Sequence, residues 1–280
     1  MKALIKLGGT LLDTAESRSR LAAEISRAVQ DGLEAVIVHG GGKQMTRYLS
    51  DRGIESHFIN GLRVTTPQVL DAVVKVLAGS VNQELVAAFV ACGAPAVGLS
   101  GMDALLTEAR PISEELGLAG KPVRSDPRLL HALIGLKYLP VVACVAGDRQ
   151  GHFFNVNADQ MAVSVAAALQ VDKLLFLTDV DGVRDRDNQV RSILGLDESR
   201  LLIDQGTATG GMRAKLESAA EALRAGIAEV VIAPGACPDI VAKLLAGHAI
   251  GTRLVVLPSH DALPSDDTLA SHDREGVDHA

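Results

Sequence analysis

The stretch VIVHGGGKQ, Val36–Gln44, sets an apolar run directly against three glycines and a lysine. A strand that runs into a glycine turn brings bare backbone N–H groups to the end of a sheet, where they can close around anionic oxygens. Two familiar versions of such a loop are excluded. A Walker A loop needs a glycine five places before the one preceding the lysine, and Ser or Thr after the lysine. Ile37 and Gln44 stand there instead. A dinucleotide fingerprint needs Gly-x-Gly-x-x-Gly, and Met45 occupies the place of the last glycine.

Working outward, the pattern recurs in IKLGGT, Ile5–Thr10, where a short apolar run again ends in paired glycines. Lys6 lies inside that run, a costly place for an ammonium unless it emerges at the sheet end or meets an anion. Strand-like and helix-like segments alternate along the rest of the chain. Strands are expected at Ala35–Val38, Ala96–Leu99, Pro140–Val145, Leu174–Leu177, Glu229–Ala233 and Thr252–Leu257. Helices are expected over about Ser17–Asp31, Lys43–Ser50, Pro127–Lys137, Ala158–Leu169, Gly211–Ala225 and Cys237–Ala246. Thr66-Pro67 opens another, which runs to Ala91 with a break expected at Gly79. Arg110–Asp126 has no helical period and suits a β-hairpin. Repeated β-α-β units make this an α/β protein with an open, mainly parallel central sheet and helices on both faces. Ligands on such sheets bind beyond the C-terminal ends of the strands.

Composition agrees. The 280 residues are 48% apolar but only 2% aromatic, so the core is built from Ala, Val, Leu and Ile, as buried parallel strands require. A net charge of −7 argues against a nucleic-acid partner. The three cysteines, Cys92, Cys144 and Cys237, lie far apart in apolar settings and read as reduced buried thiols of a cytoplasmic protein. The uncharged stretch Leu85–Met102 is interrupted by Gly93, Pro95 and Gly98, and reads as a helix end, a turn and a strand; no membrane partner is expected. Residues 258–280 are polar and acidic and read as a disordered tail without metal-ligand spacing.

Polar residues are planted at several further junctions: Arg63 in NGLRVT, Asn155 and Asp159 in NVNADQ, Asp179 to Val183 in TDVDGV, and Gly210, Gly211 and Lys215 in TGGMRAK. Singly, each has an ordinary reading. Asp159 suits a helix N-terminal acid, Asn155 a turn, and Arg63 and Lys215 solvated surface charges.

Taken in order, IKLGG, HGGG, NGLRVT, GLSGMD, NVNADQ, LTDVDGV and TGGMRAK resemble the amino acid kinase family over Lys2–Leu257. The resemblance implies a three-layer sandwich and transfer of the γ-phosphoryl of ATP, with Mg2+ held mainly by the nucleotide phosphates, to a carboxylate. NGLRVT with NVNAD points to N-acetyl-L-glutamate as the acceptor, in arginine synthesis. It implies Lys6 and Lys215 beside the transferring phosphoryl, with Asp159 orienting both. Gly41, Gly42, Arg63 and Asn155 are then the substrate-side residues. Gly9, Asp179, Val180, Gly182, Val183, Gly210 and Gly211 are the nucleotide-side ones, and no protein-held metal is expected. Residues 1–170 would form the substrate-binding and dimerising lobe and 171–257 the nucleotide lobe. Many relatives carry Pro where this chain has Lys43, which is expected to point to solvent. Because the first strand begins at Lys2, without the extra helix of arginine-inhibited members, a homodimer insensitive to arginine is expected. An aminoadipate kinase of lysine synthesis and a non-catalytic nucleotide sensor are the alternatives.

Overall fold

The protein is described here by a computed structural model covering residues 1–256; the tail expected over 258–280 lies outside them. Strand β1 (Lys2–Leu7) leads through a 3-10 turn into α1 (Ala15–Gln30), followed by β2 (Glu34–His39) and α2 (Gly42–Ser50). A small hairpin, β3 (Phe58–Ile59) and β4 (Leu62–Arg63), precedes α3 (Pro67–Val73), which continues through a π-helical stretch, Val74–Val81, into α4 (Asn82–Ala91). Next come β5 (Ala96–Ser100), β6 (Thr107–Pro111), β7 (Ala119–Ser125), α5 (Arg128–Gly135), β8 (Leu139–Ala143), β9 (Val145–Gly147), β10 (Phe153–Val156) and α6 (Ala158–Leu169). The remainder is β11 (Lys173–Thr178), β12 (Ile193–Gly195), α7 (Leu196–Asp204), α8 (Gly210–Arg224), β13 (Glu229–Pro234), α9 (Ile240–Leu245) and β14 (Thr252–Val255).

Eight strands form one sheet in the order β12-β14-β13-β11-β1-β2-β8-β5. Six are mutually parallel; β14 pairs antiparallel with β13, and β12 runs with β14. Strand β1 lies between β11 and β2, and its Ala3, Leu4, Ile5 and Leu7 are fully buried. Covered on both faces, it has no need for alternating polarity, which is why it reads as a nearly continuous apolar run. Lys6 is its exception, level with Val38 on β2 and Phe176 on β11.

Several helix starts follow from their caps. The Thr66 hydroxyl accepts the Val69 N–H at 3.3 Å, with Pro67 in the first turn. The Asn157 carboxamide oxygen accepts from Asp159 and Gln160 N–H at 2.8 and 3.3 Å, opening α6.

Four readings of the sequence are corrected. The helix opened by Thr66 does not break at Gly79 but widens there into the π-helical stretch. The strand expected over Pro140–Val145 divides at Cys144 into β8 and β9. The expected hairpin is present as antiparallel β6 and β7, but it closes with β9 and β10 into a small four-stranded barrel beside the main sheet. Strand β12 and helix α7 were not anticipated.

The run Pro67–Ala91 is long and apolar enough to cross a bilayer by length and composition alone. Here Val69, Val73, Leu77, Leu85 and Phe89 pack it into the core, while Lys75 and Glu84 lie on its exposed side. The stretch Leu85–Met102 is, as expected, the end of α4, a turn and β5.

Candidate active site

Three structural devices bring charge to one place beyond the C-terminal ends of β1 and β2. Lys6 sits one residue before the end of β1. Asp159 stands in the first turn of α6, where the helix N-terminus favours a carboxylate. Lys215 projects from the second turn of α8. The Lys6 Nζ lies 2.7 Å from one Asp159 oxygen, and the Lys215 Nζ lies 3.2 Å from the other. All three side chains are largely withdrawn from water, at 7%, 6% and 16% exposure for Lys6, Asp159 and Lys215. Burial opposes ionisation of Asp159, but the Lys6 and Lys215 ammonium groups outweigh it and hold the carboxyl below its usual range. Two ammonium groups around one carboxylate leave one positive charge uncompensated within the triad.

These residues line a cavity of about 310 Å³ together with Gly40–Gly42, Phe58, Arg63, Asn155, Gly210 and Gly211. Another cavity, of about 290 Å³, lies between α1 and α9 and holds neither lysine nor the glycine loop. The chemistry therefore selects the first over the second.

Arg63, at the end of β4, reaches across this cavity. Its guanidinium donates to the Ser56 hydroxyl, to Thr46 Oγ1 at 3.0 Å and to the Gly42 carbonyl at 3.3 Å, and stacks 4.6 Å from the Phe58 ring centre. Burial lowers its pKa from the usual arginine value. Asn155 on β10 donates to Thr65 Oγ1 at 3.0 Å, and Thr65 donates in turn to the Arg63 carbonyl at 2.9 Å. The two residues are thus coupled through a fully buried threonine.

Gly41 approaches the π-helical stretch so closely that a Cβ would lie 2.5 Å from Leu77 Cδ2, so any side chain there would have to displace Leu77. Lys43 is 61% exposed, with a long 3.5 Å ion pair to Asp13, in keeping with the expected solvent-facing position.

The residues expected on the nucleotide side divide. Gly210 and Gly211 line the cavity at the entrance of α8. Gly9 begins the 3-10 turn after β1, next to Gly8, whose N–H is tied to the Leu177 carbonyl at 2.9 Å. Asp179 is exposed; burial would raise its pKa, but hydrogen bonds, including those from the Thr10 and Thr178 side chains, keep it lowered. Val180 is also exposed, whereas Gly182 and Val183 turn inward and the Val183 N–H donates to Thr252 Oγ1 at 2.7 Å. The Asp179–Val183 turn is not on the lining of the 310 Å³ cavity. Sequence reading missed Thr46, Ser56 and Thr65, which hold Arg63 and Asn155. Each is an ordinary hydroxyl in a polar segment, with no pattern to mark it.

A parallel-sheet edge with two lysines, one carboxylate bridging them and a glycine loop defines a site of the phosphoryl-transfer kind. The chain belongs to the amino acid kinase family, whose model matches residues 1–234. The acetylglutamate kinase of Solibacter usitatus is 59% identical over 255 residues, covering 91% of this chain and 99% of that protein. That of Koribacter versatilis is 40% identical over 258 residues, with coverage of 91% and 99%. Among solved structures, N-acetylglutamate synthase from Neisseria gonorrhoeae, complexed with coenzyme A and N-acetyl-glutamate, superposes with a TM-score of 0.82 at 28% identity. The match covers 92% of this chain and 60% of that longer one.

Proposed function

We propose that this protein transfers the γ-phosphoryl group of MgATP to the side-chain carboxylate of N-acetyl-L-glutamate, giving N-acetyl-L-glutamate 5-phosphate in arginine synthesis. The observation that carries the reading is the buried Lys6–Asp159–Lys215 bridge facing Arg63 across one cavity. Kinship with acetylglutamate kinases supports the choice of acid.

The acceptor carboxylate is already ionised near neutral pH, so no general base is required. One of its oxygens bonds to the γ-phosphorus while the bond from that phosphorus to the β–γ bridging oxygen breaks, and ADP leaves. The barrier lies in bringing anions together in line and stabilising the charge that spreads over the transferring group. In this reading Lys6 and Lys215 flank that group, with Lys215 toward the leaving oxygen. Asp159 orients both ammonium groups and moves no proton. The Gly41 and Gly42 N–H groups meet anionic oxygens from the β2 side, Gly210 and Gly211 from the α8 side. Arg63 takes the α-carboxylate and Asn155 helps fix the same end. Asp179–Val183 lie on the nucleotide side, joined there by Gly9 from the first lobe; apart from Gly9, residues 1–170 serve the acid and 171–257 the nucleotide. Mg2+ enters as part of the nucleotide substrate. Asp159 is not a free ligand for it, because both carboxylate oxygens face ammonium groups.

The protein is read as a cytoplasmic homodimer. Strand β5 supports this: it is one of the sheet's two edges, its Ala96, Val97 and Leu99 are only partly covered, and Val90 on α4 is 55% exposed. Unpaired, such an edge is a liability. A monomeric mass in solution would remove the dimer.

Hydroxylamine trapping of the acyl phosphate tests the reaction. N-acetylglutamate should give the strongest ATP-dependent signal among N-acetylglutamate, glutamate, aspartate and N-acetylaminoadipate. A signal from the aminoadipate derivative alone would move the enzyme to lysine synthesis, and ATP binding without any turnover would favour a sensor.

A further inference from the structure

One buried titratable group near the cavity is unused by this mechanism. His39 closes β2, immediately before the glycine loop, and is fully buried. Its Nδ1 lies 2.9 Å from the Gly40 carbonyl oxygen. A carbonyl can only accept, so Nδ1 carries the proton. Its Nε2 lies 3.0 Å from the Asn82 carboxamide nitrogen, which can only donate, so Nε2 presents its lone pair. The same Asn82 nitrogen donates to the Val141 carbonyl at 2.9 Å. The ring is therefore fixed in one neutral tautomer, clamped between the loop and the first residue of α4. Burial lowers the His39 pKa to about 4, against a smaller opposing effect of the Gly40 bond. Gly98 leaves the space that the Asn82 carboxamide needs, since a Cβ there would strike its oxygen.

The consequence for the loop follows from counting its backbone groups. The Gly40 carbonyl is taken by His39, the Gly41 carbonyl by the Met45 N–H at 2.9 Å, and the Gly42 carbonyl by Thr46 Oγ1 at 2.9 Å and Arg63. The Gly40 N–H is turned toward the Leu7 carbonyl at 3.4 Å. Among the described residues, the Gly41 N–H has no backbone acceptor, and the Gly42 N–H opens α2, where no intrahelical partner exists. All three carbonyls are thus held by protein donors, and the two remaining N–H groups belong to glycines on the cavity wall.

We propose that His39, held by Asn82, is a positioning residue for phosphoryl transfer: its Nδ1–H retains the Gly40 carbonyl and so keeps the Gly41 and Gly42 N–H groups aimed at the anionic oxygens. This rests on the reading above that those N–H groups meet substrate. The sequence marks His39 only as the first residue of the HGGG motif, and nothing there ties it to Asn82, an asparagine inside a helix.

Two neutral substitutions separate positioning from mere packing. In His39→Asn the amide nitrogen can take the place of Nδ1 and keep the bond to Gly40. In His39→Gln the amide reaches the Nε2 position, facing Asn82, and the Gly40 bond is lost. The Asn variant should retain kcat within about threefold. The Gln variant should lose about tenfold or more, short of the 10²–10³ lost when an oriented donor is removed outright. Melting temperatures of both should fall by similar amounts.

The second readout is the glycine amide spectrum of uniformly folded, glycine-15N-labelled protein, titrated with N-acetylglutamate and a non-hydrolysable MgATP analogue. Gly41 and Gly42 resonances should shift in the wild type and the Asn variant, and lose that response in the Gln variant. Equal kcat losses tracking equal melting-temperature losses would overturn the proposal, as would Gly41 and Gly42 amides that respond to neither ligand. If the wild type fails to phosphorylate N-acetylglutamate while the amide pattern across the variants holds, the substrate reading falls and the positioning role stands.

Discussion

Two glycine clusters face the same cavity and are built in opposite ways. Gly40–Gly42 is wedged between β2 and the π-helical stretch, with every carbonyl claimed and Gly41 in contact with Leu77. Gly210 and Gly211 are exposed, the α8 N-cap Thr209 makes no side-chain cap bond, and a Cβ at either glycine would meet nothing within 4 Å. The lysines follow suit: Lys6 is more deeply buried and closer to Asp159 than Lys215. The difference teaches that one wall of the site is pre-set by the sheet, whereas the other is held only by the end of a helix. A fixed wall suits the orientation of one reactant, and a loosely held wall suits the entry and release of the other.

The sharpest test of that asymmetry is the pair of lysines. Lys6→Ala and Lys215→Ala should each lower kcat by about 10²–10³, the loss typical of removing one group aimed at developing charge. The fixed-wall variant should also lose more thermal stability, because it leaves the more buried contact broken. Equal destabilisation by the two would break the comparison.

Next in size is a pH effect confined to the fixed wall. His39 titrates near 6.5 when unfolded and at about 4 when folded, so between those values the unfolded chain binds the extra proton. Stability should therefore fall as pH drops from about 6.5 toward 4, by roughly 2–4 kcal/mol in all. Chemical denaturation of His39→Asn across that window should show the slope reduced by this one group.

Arg63→Ala should raise KM for N-acetylglutamate about 10- to 100-fold, matching loss of roughly 1.5–3 kcal/mol for hydrogen bonds to a charged group, with a smaller change in kcat. Lysine should not restore it, since the fork that reaches Ser56, Thr46 and Gly42 is lost. Initial-rate kinetics decide both points.

The smallest effects belong to the glycines. Gly41→Ala should cost about 1–3 kcal/mol through overpacking against Leu77. Gly211→Ala, in open space, should change stability by less than about 1 kcal/mol. Denaturant midpoints that reverse this order would remove the distinction between the walls.

The parts of the molecule legible in sequence are those in which local and global requirements coincide. Strands β1, β2 and β11 announce themselves because both faces are buried, and α3 and α6 because Thr66 and Asn157 cap them. The small barrel is not legible, since β9 and β10 have three and four residues and their partners are remote. Helix α7 buries only Ser199 and Leu202, too little to impose a period. At the site, Lys6 stood out as a charge in an apolar run and Asp159 did not, because a carboxylate opening a helix has a complete local explanation. The bridge to two lysines exists only once β1, α6 and α8 have been brought together.

The π-helical stretch Val74–Val81 has a further consequence. Each residue in an α-helix advances the chain by about 100° around its axis, so the wide turns set the angular phase of everything downstream. Deleting a single residue within it would let the wide turns close to ordinary α turns and leave α4 facing almost as before. Deleting one from the α-helical turns ahead of it, in α3, would instead rotate α4 like a key in a lock, carrying Asn82 away from His39 and unlatching the loop from a distance.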